Sequence, residues 1–332
     1  MNPSNVLIEI SHLKKYYPVS NGFFTNRGLS VKAVDDVSFQ VKEKQSLGIV
    51  GESGCGKSTM GKTILRLIEP TGGNVIFEGK ELFNVEENRF MKTKELSSMR
   101  KEMAMIFQDP YSSLNPHMTI GEAVKAGVVR HQIVPKEEVI SYCMDVLCAC
   151  GLEKEAYDSY PNEFSGGQRQ RAVIARALAL KPKVVVCDEP TAALDVSIQS
   201  QVLNTMLDMQ EQMGLTYLFI SHNLQVTRAF CDEIAVMYLG KIVEKGPSDE
   251  VYFHGCHPYT KALIASLPIS EPGQIKEERK MVNSIPSMVN IPSGCRFHTR
   301  CPYATEKCKT EEPVLREVGN NHFAACHYPI GS

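Results

Sequence analysis

The nine residues GESGCGKST, Gly51 to Thr59, constrain the fold of this chain more than any other stretch. They follow an apolar run, SLGIV, and precede a helical pattern, MGKTILRLIEP. In the pattern G-x4-G-K-[ST], backbone N–H groups and the start of the next helix surround phosphate oxygens. Glycine permits the backbone conformations that point those donors inward, Lys57 can reach the β- and γ-phosphates, and Ser58 can ligate Mg²⁺. The sequence therefore predicts a nucleotide site between a strand and a helix.

Short β-like runs alternate with helical patterns from about Val6 to Lys245. These β-like runs are LGIV, MAMIF, VVVC, TYLFI, EIAVMY and KIVEKG. Such alternation indicates an α/β fold with a mostly parallel sheet flanked by helices. Residues 109–164 differ, since the turn-forming DPYSSLNP leads into helical patterns without a good strand. We expect them to form a helical insertion in the α/β body.

The length, charge and hydropathy of the chain limit the classes of protein to which it can belong. With 332 residues and 43% hydrophobic content, the chain can bury a sizeable core. The formal net charge of -2 provides no overall basic field for nucleic acid or anionic membrane, so no nucleic-acid partner is expected. The N-terminus lacks the order of a signal peptide, and no apolar run is long enough for a membrane span. These features predict a cytosolic or peripheral protein.

Two further motifs contain residues that can bind Mg²⁺ or an anion. VVVCDEP is typical of a buried strand that ends in two carboxylates, with Asp188 placed to hold Mg²⁺ and Glu189 to polarise a water. The run NEFSGGQRQR places Ser-Gly-Gly before a helical pattern, which makes a second anion-receptive helix start. A phosphate loop alone leaves GTPases, kinases, helicases and transport ATPases open. Two anion sites in one chain indicate two nucleotides or two subunits.

The motifs together resemble the nucleotide-binding subunits of ABC transporters. The phosphate loop, Gln108 in FQDP, Ser-Gly-Gly-Gln, VVVCDEP, AALD and SHN occur in that family's order over about 240 residues. The resemblance implies a P-loop NTPase (RecA-like) core in residues 1–248, with an N-terminal antiparallel β region and the helical subdomain at 109–164. It also implies that two such domains bind head to tail, each ATP lying between the phosphate loop of one and the Ser-Gly-Gly-Gln signature of the other. Phe164 stands before the signature, where leucine is commonest.

The resemblance implies roles for individual residues. Glu189 is the expected catalytic base, with His222 and Lys57 contacting the γ-phosphate. Tyr16 is expected to stack on adenine, and Asp195 to cross the dimer interface. The expected Mg²⁺ ligands are Ser58, Gln108 and Asp188. The full set of expected nucleotide-binding residues is Tyr16, Gly51, Glu52, Ser53, Gly54, Cys55, Gly56, Lys57, Ser58, Thr59, Gln108, Ser165, Gly166, Gly167, Gln168, Asp188 and Asp195.

Residues 249–332 are predicted to form a C-terminal extension. HPYTKALIASLP, IPSGCRFHTRCPYATEKCKTEEP and HFAACHYP resemble the extension of ATPase subunits from oligopeptide and dipeptide importers. The opening ISHLKKYYPVSNGFF resembles the second of the two ATPase subunits in these importers. The implied partners are a different ATPase subunit, two transmembrane permease subunits and an extracytoplasmic peptide-binding protein, at the cytoplasmic face of the cell membrane. Close relatives import nickel or sugars, so the substrate stays open.

Four of the eleven cysteines lie in the extension with the spacing C-x5-C-x6-C-x17-C: Cys295, Cys301, Cys308 and Cys326. Four thiolates fit tetrahedral Zn²⁺ or a [4Fe–4S] cluster, and structural zinc sites usually have tighter C-x2-4-C pairs. The wide spacing favours the cluster, as does the resemblance, although zinc or no metal stays open. We expect the metal to staple an extension that lacks a core of its own.

Two other functions compete with a transport ATPase. A soluble ABC-type ATPase acting on DNA or ribosomes usually carries a long coiled-coil insertion or two cassettes, and neither occurs here. A degenerate, non-hydrolysing cassette fused to a metal module would serve as an interaction protein. Glu189 and His222 argue against such degeneracy.

Overall fold

The computed structural model describes residues 5–19, 29–192, 194–266, 286–319 and 321–331. The predicted polar linker EPGQIKEERKMVNS and the whole of SNGFF lie outside the described residues. Contacts group the chain into two compact units. The first comprises Met1–Leu7, Val41–Ser46 and Met91–Ile220, and the second comprises Ile8–Gln40, Leu47–Phe90 and Ser221–Ser332.

Thirteen strands occur in the described residues. The strands are β1 (Val6–Pro18), β2 (Ser30–Lys42), β3 (Ser46–Val50), β4 (Gly72–Phe77), β5 (Lys80–Asn84), β6 (Arg89–Phe90), β7 (Met103–Ile106), β8 (Val184–Asp188), β9 (Thr216–Ser221), β10 (Glu233–Tyr238), β11 (Lys241–Pro247), β12 (Arg316–Gly319) and β13 (His322–Ala324).

Eleven α-helices accompany these strands in the same described residues. They are α1 (Lys57–Ile64), α2 (Thr93–Met99), α3 (Pro110–Ser113), α4 (Ile120–His131), α5 (Val139–Ala149), α6 (Gly166–Leu178), α7 (Val196–Met213), α8 (Leu224–Phe230), α9 (Ser248–His254), α10 (Pro258–Ser266) and α11 (Glu306–Thr310). None of these described helices has the length and apolar composition needed to cross a lipid bilayer.

The first unit is built around three parallel strands. β7 pairs with β8, and β8 pairs with β9, so their carboxyl ends share one edge. The strands β8 and β9 are buried along their whole length. This agrees with their nearly continuous apolar sequences, which are typical of strands in a parallel sheet that is covered on both faces. Residues 109–164 form α3, α4, α5 and short 3-10 turns without a strand, as predicted. A capping box between Thr119 and Glu122 fixes the start of α4.

The second unit contains two groups of strands. The N-terminal antiparallel region is present as the order β2-β1-β4-β5-β6. The other group has the order β12-β13-β11-β10-β3, in which β10 runs parallel to β3 and antiparallel to β11. The strand β3 leads directly into the phosphate loop, so this group positions that loop at its carboxyl edge.

The C-terminal residues share the apolar core of the second unit. Tyr259 and Phe297 are buried in one cluster with Val50, Val236 and Tyr238, at 0% and 1% exposure. This agrees with the expectation that the extension lacks a core of its own, because its aromatic side chains pack into the core that also holds the strand before the phosphate loop. The domain boundary at residue 248 stays a prediction.

Candidate nucleotide site

The phosphate loop runs from the end of β3 to the start of α1. Gly56 is the N-cap of α1 with φ 109°, a conformation that L side chains rarely adopt. A Cβ at this position would also overlap the carbonyl oxygen of Ala33. Only glycine therefore allows the loop to turn into the helix here. The first N–H groups of α1 then point towards the loop, as phosphate binding requires.

Lys57 lies inside the loop rather than in solvent. Its side-chain ammonium donates to the backbone carbonyls of Gly51 at 2.7 Å and Glu52 at 3.1 Å. The residue is 4% exposed, so its charge is held beside the loop backbone. Ser58 and Thr59 are half-buried, while Ser53 and Gly54 are exposed at the tip. The loop thus combines a fixed cation with accessible backbone.

Cys55 is a buried residue of the loop. Burial raises the pKa of its thiol, although Lys57 acts in the opposite direction. A neutral thiol is a small apolar group, so Cys55 contributes packing and a backbone position to the loop.

Tyr16 is linked to the same unit by its hydroxyl. The hydroxyl donates a short hydrogen bond to Asp35, and Asp35 also accepts from the Arg296 guanidinium. Burial opposes ionisation of Asp35, but these hydrogen bonds outweigh it and lower the pKa of the carboxyl. The Lys32 ammonium lies 5.5 Å from the centre of the Tyr16 ring. The ring therefore has a fixed position.

The predicted acidic pair lies at the carboxyl end of β8 in the first unit. Asp188 is 3% exposed and ends the strand. Glu189 follows in a left-handed conformation with φ 47°, and its N–H donates to Ile220 at 2.9 Å. Strain of this kind in a non-glycine residue often marks a functional position. The side-chain amide of Gln108 donates to Glu189 Oε2 at 3.3 Å. The structure thus brings Gln108 and Glu189 together.

The signature residues form the start of α6. Ser165 is the exposed N-cap, and its hydroxyl accepts from the Gln168 N–H while Gln168 Oε1 accepts from the Ser165 N–H. Gly167 is buried, and a Cβ there would overlap the side chain of Ile198. A capping box with an exposed N-cap agrees with the expected anion-receptive helix start.

Asp195 and His222 occupy separate exposed positions. Asp195 is the N-cap of α7 and accepts from the Ile198 N–H, and bonds from Ser197 and Ile198 lower the pKa of its carboxyl. His222 follows β9, beside Asn223, which caps α8. Both residues are open to solvent, as contacts to a second chain or a nucleotide require.

The four predicted metal-ligating cysteines converge. Cys295, Cys301, Cys308 and Cys326 line one small cavity. Burial raises the pKa of Cys295 to about 11, and the other three thiols act on it in the same direction. Mutual electrostatic interaction requires proximity, so residues spread over the extension meet at one place.

A second cluster of possible ligands was not predicted. In the described part of the chain, one group of three such ligand atoms lies within 4.8 Å of one another: Glu244, Cys256 and His322. Among the described residues, no three of the four tail thiols therefore lie within 4.8 Å of one another. Glu244 Oε1 already accepts from the Cys256 N–H at 2.7 Å and pairs with His322 Nε2 at 2.7 Å. The cluster is thus held together as a buried hydrogen-bond network.

Glu52 makes contacts that no motif indicates. Its carboxylate accepts from both terminal nitrogens of Arg300, at 2.7 and 2.8 Å. Its backbone N–H donates to the Tyr259 hydroxyl at 2.8 Å. Arg300 and Tyr259 therefore belong to the surroundings of the phosphate loop. The HPYT run and the cysteine spacing mark their segments, but neither indicates this contact.

Comparison with protein families agrees with this arrangement. The family described as "ABC transporter" matches residues 34–192, and "Oligopeptide/dipeptide transporter, C-terminal region" matches residues 243–308. The oligopeptide transport ATP-binding protein AppF of Bacillus subtilis is 46% identical over 323 residues, which is 97% of each chain. The dipeptide transport ATP-binding protein DppF of Haemophilus influenzae is 43% identical and covers 97% of this chain and 96% of its own.

Solved structures show the same fold. The ATP-binding cassette MJ0796, a dimer in a post-hydrolysis state bound to ADP and Pi, matches with a TM-score of 0.63 and 27% identity, over 73% of this chain and 99% of that chain. CbiO1 of Clostridium perfringens, part of the ABC transporter complex cbiONQ, matches with a TM-score of 0.63 and 25% identity, over 75% of this chain and 91% of that chain.

Proposed function

The chain belongs to the family of ATP-binding subunits of ABC-type oligopeptide and dipeptide transporters, and we propose that it hydrolyses ATP to power the uptake of short peptides. The observation that carries the proposal is the 46% identity with an oligopeptide transport subunit over 97% of both chains. Such coverage includes the cysteine-rich extension as well as the nucleotide motifs. A nickel or sugar importer of the same family would share the ATPase mechanism and is the alternative.

The residues of the phosphate loop supply binding, and those after β8 supply the reaction. Backbone N–H groups of Gly51 to Thr59 and the Lys57 ammonium bind the β- and γ-phosphates. Ser58, Gln108 and Asp188 have the oxygen donors that Mg²⁺ prefers, and the ion neutralises phosphate charge when bound. Glu189 takes a proton from the attacking water, and His222 contacts the γ-phosphate. The Gln108 hydrogen bond keeps the Glu189 carboxylate oriented.

A second ATPase subunit completes each site. Ser165, Gln168 and Asp195 are exposed at helix starts, which favour binding of an anionic nucleotide held by a partner. We infer that the partner is a different chain, because the N-terminal segment resembles the second of two subunits. ATP holds the two subunits together, and hydrolysis removes the γ-phosphate contact and separates them.

The partners in the membrane are two permease subunits, which place this chain at the cytoplasmic face, and an extracytoplasmic protein delivers the peptide. Tyr111, which follows Gln108 by three residues, is 64% exposed, and Val129 on α4 is 47% exposed. Exposed apolar side chains beside the Gln108 loop and in the helical insertion support permease docking there. A movement of Gln108 that accompanies ATP binding or hydrolysis is then transmitted to the permease subunits.

We propose that the four tail cysteines hold a [4Fe–4S] cluster rather than one zinc ion. Thiolates around tetrahedral zinc lie about 3.8 Å apart, because each Zn–S bond is about 2.3 Å. No three of these described thiols lie within 4.8 Å of one another, although all four line one cavity. A cluster has an iron at each of four corners, so its thiolates are spaced more widely. Cys295, Cys301, Cys308 and Cys326 would hold it as a structural staple.

The test is ATP hydrolysis by the complex of this chain with its partner subunits and binding protein, reconstituted in lipid. Short peptides, nickel and sugars are added in turn. We expect stimulation by peptides alone. Stimulation only by nickel or a sugar would support the ATPase function and contradict peptides as the substrate. An absence of hydrolysis with every addition would contradict the enzyme function.

A further inference from the structure

The C-terminal extension contacts the phosphate loop at Glu52. Both carboxylate oxygens of Glu52 are engaged by Arg300, at 2.7 and 2.8 Å. The Arg300 side chain is 4% exposed and that of Glu52 is 19% exposed. A bidentate pair with both partners largely out of water fixes orientation as well as distance.

The backbone of Glu52 is held by a second contact from the extension. Its N–H donates to the Tyr259 hydroxyl at 2.8 Å. The Tyr259 ring is fully buried and packs 4.6 Å from the centre of Tyr238 and 5.4 Å from that of Phe297. The acceptor therefore sits on a rigid aromatic group. The side chain and the backbone of Glu52 are therefore both held by residues of the extension.

These contacts reach the phosphate-binding lysine directly. The carbonyl of Glu52 accepts from the Lys57 ammonium at 3.1 Å, and that of Gly51 accepts at 2.7 Å. A rotation of the Glu52 peptide would move both an N–H donor of the loop and an acceptor of Lys57. Phosphate affinity depends on such groups being oriented before the ligand arrives.

We propose that Arg300 and Tyr259 are positioning residues that hold the phosphate loop in its ATP-binding conformation, and that the cysteine-bearing extension acts on ATP affinity through them. Arg300 adjoins Cys301, and Phe297 between Cys295 and Arg300 lies in the core beside Tyr259. The positions of Cys295 and Cys301 therefore determine the position of the Arg300 guanidinium. The inference rests on the proposed ATP-binding function and assigns a regulator of the same site.

The experiment compares the full-length parent with Arg300→Gln, Glu52→Gln, the double variant and Tyr259→Phe, which keeps the packed ring and removes only the acceptor. Equilibrium ATP binding is measured, together with KM and kcat for hydrolysis. We expect each single variant to raise Kd and KM about tenfold while kcat stays within about twofold, because preorganisation is lost but the reacting groups remain. The double variant should be no weaker than Arg300→Gln, since both changes break one pair.

Arg316→Gln provides the matched control. Arg316 is an exposed arginine of the same extension, with its Nη2 3.5 Å from the His327 carbonyl oxygen, and its loss should leave Kd unchanged. Hydrogen exchange of the Glu52 amide should also accelerate in Tyr259→Phe. An unchanged Kd in folded Arg300→Gln and Tyr259→Phe, or additive effects of Arg300→Gln and Glu52→Gln, would overturn the proposal. A parent chain that binds no ATP would instead overturn the proposed function.

Discussion

The side-chain amide of Gln108 lies 3.3 Å from Glu189 Oε2 and donates a hydrogen bond to it. Gln108 follows β7 and Glu189 follows β8, and these strands are parallel neighbours. The two loops therefore meet at the carboxyl edge of the sheet. Because Gln108 also begins the loop that enters the helical insertion, this bond connects the expected catalytic base to the expected permease contact.

Removing this bond should slow hydrolysis more than it weakens ATP binding. We expect Gln108→Ala to lower kcat about tenfold, because Glu189 loses an orienting donor but keeps its carboxylate. The exposed glutamine Gln212 on α7 offers a matched control, and Gln212→Ala should retain the parent rate. Steady-state hydrolysis at saturating ATP measures both. A tenfold rise in Kd with unchanged kcat would contradict this role of Gln108.

The ring of Tyr16, rather than its hydroxyl, should contribute to nucleotide affinity. Stacking of a base on an aromatic ring contributes about 1–3 kcal/mol, so Tyr16→Ala should raise the Kd for ATP about tenfold. Tyr16→Phe keeps the ring and removes the hydrogen bond to Asp35, and its Kd should stay within about threefold. Tyr17→Ala controls for the neighbouring ring. If Tyr17→Ala weakens binding and Tyr16→Ala does not, the adenine contact belongs to Tyr17.

The tail cysteines should determine iron content. Anaerobically purified parent is expected to contain iron and acid-labile sulfide, while Cys295→Ser should lose both and expose the extension to protease. Cys148→Ser on α5 is the control, since this partly exposed cysteine lies outside the cavity. Zinc in the parent instead of iron would contradict the cluster.

His257 should make the protein less stable as the pH falls. Burial lowers the pKa of His257 to about 4, despite the opposing charge of Glu244. Between about pH 6.5 and pH 4 the unfolded chain binds a proton that the folded chain excludes, so stability is full above that window and falls within it, by about 3 kcal/mol. Urea unfolding across this range measures the slope. His257→Gln should flatten it, and an equally steep slope in that variant would assign the dependence to other groups.

The contiguous motifs could be predicted from sequence because each carries its own chemistry in adjacent residues. Gly56, Lys57 and Ser58 serve the phosphate loop wherever the rest of the chain lies. The strands β8 and β9 could be predicted for a similar reason, since buried parallel strands are continuous apolar runs. The helical insertion was indicated by its turn formers and helical periodicity.

Contacts between distant segments could not be predicted in this way. Arg300 and Glu52 are separated by 248 positions, and a charged pair of that separation leaves no periodic or local pattern. Cys256 has no signal of its own, because a lone cysteine in such a sequence is typically a small buried thiol. The shared core of the extension was missed for the same reason, since Phe297 and Val50 meet only after folding.

Peptide accumulation in proteoliposomes by the reconstituted complex, with ATP inside and the binding protein outside, tests the central claim most directly. The complex with the parent chain is compared with one carrying Glu189→Gln, which keeps the size of the side chain but removes the base. The account predicts that the variant binds ATP normally while hydrolysis and peptide accumulation fall about 100-fold. Accumulation at the parent rate with Glu189→Gln would contradict it.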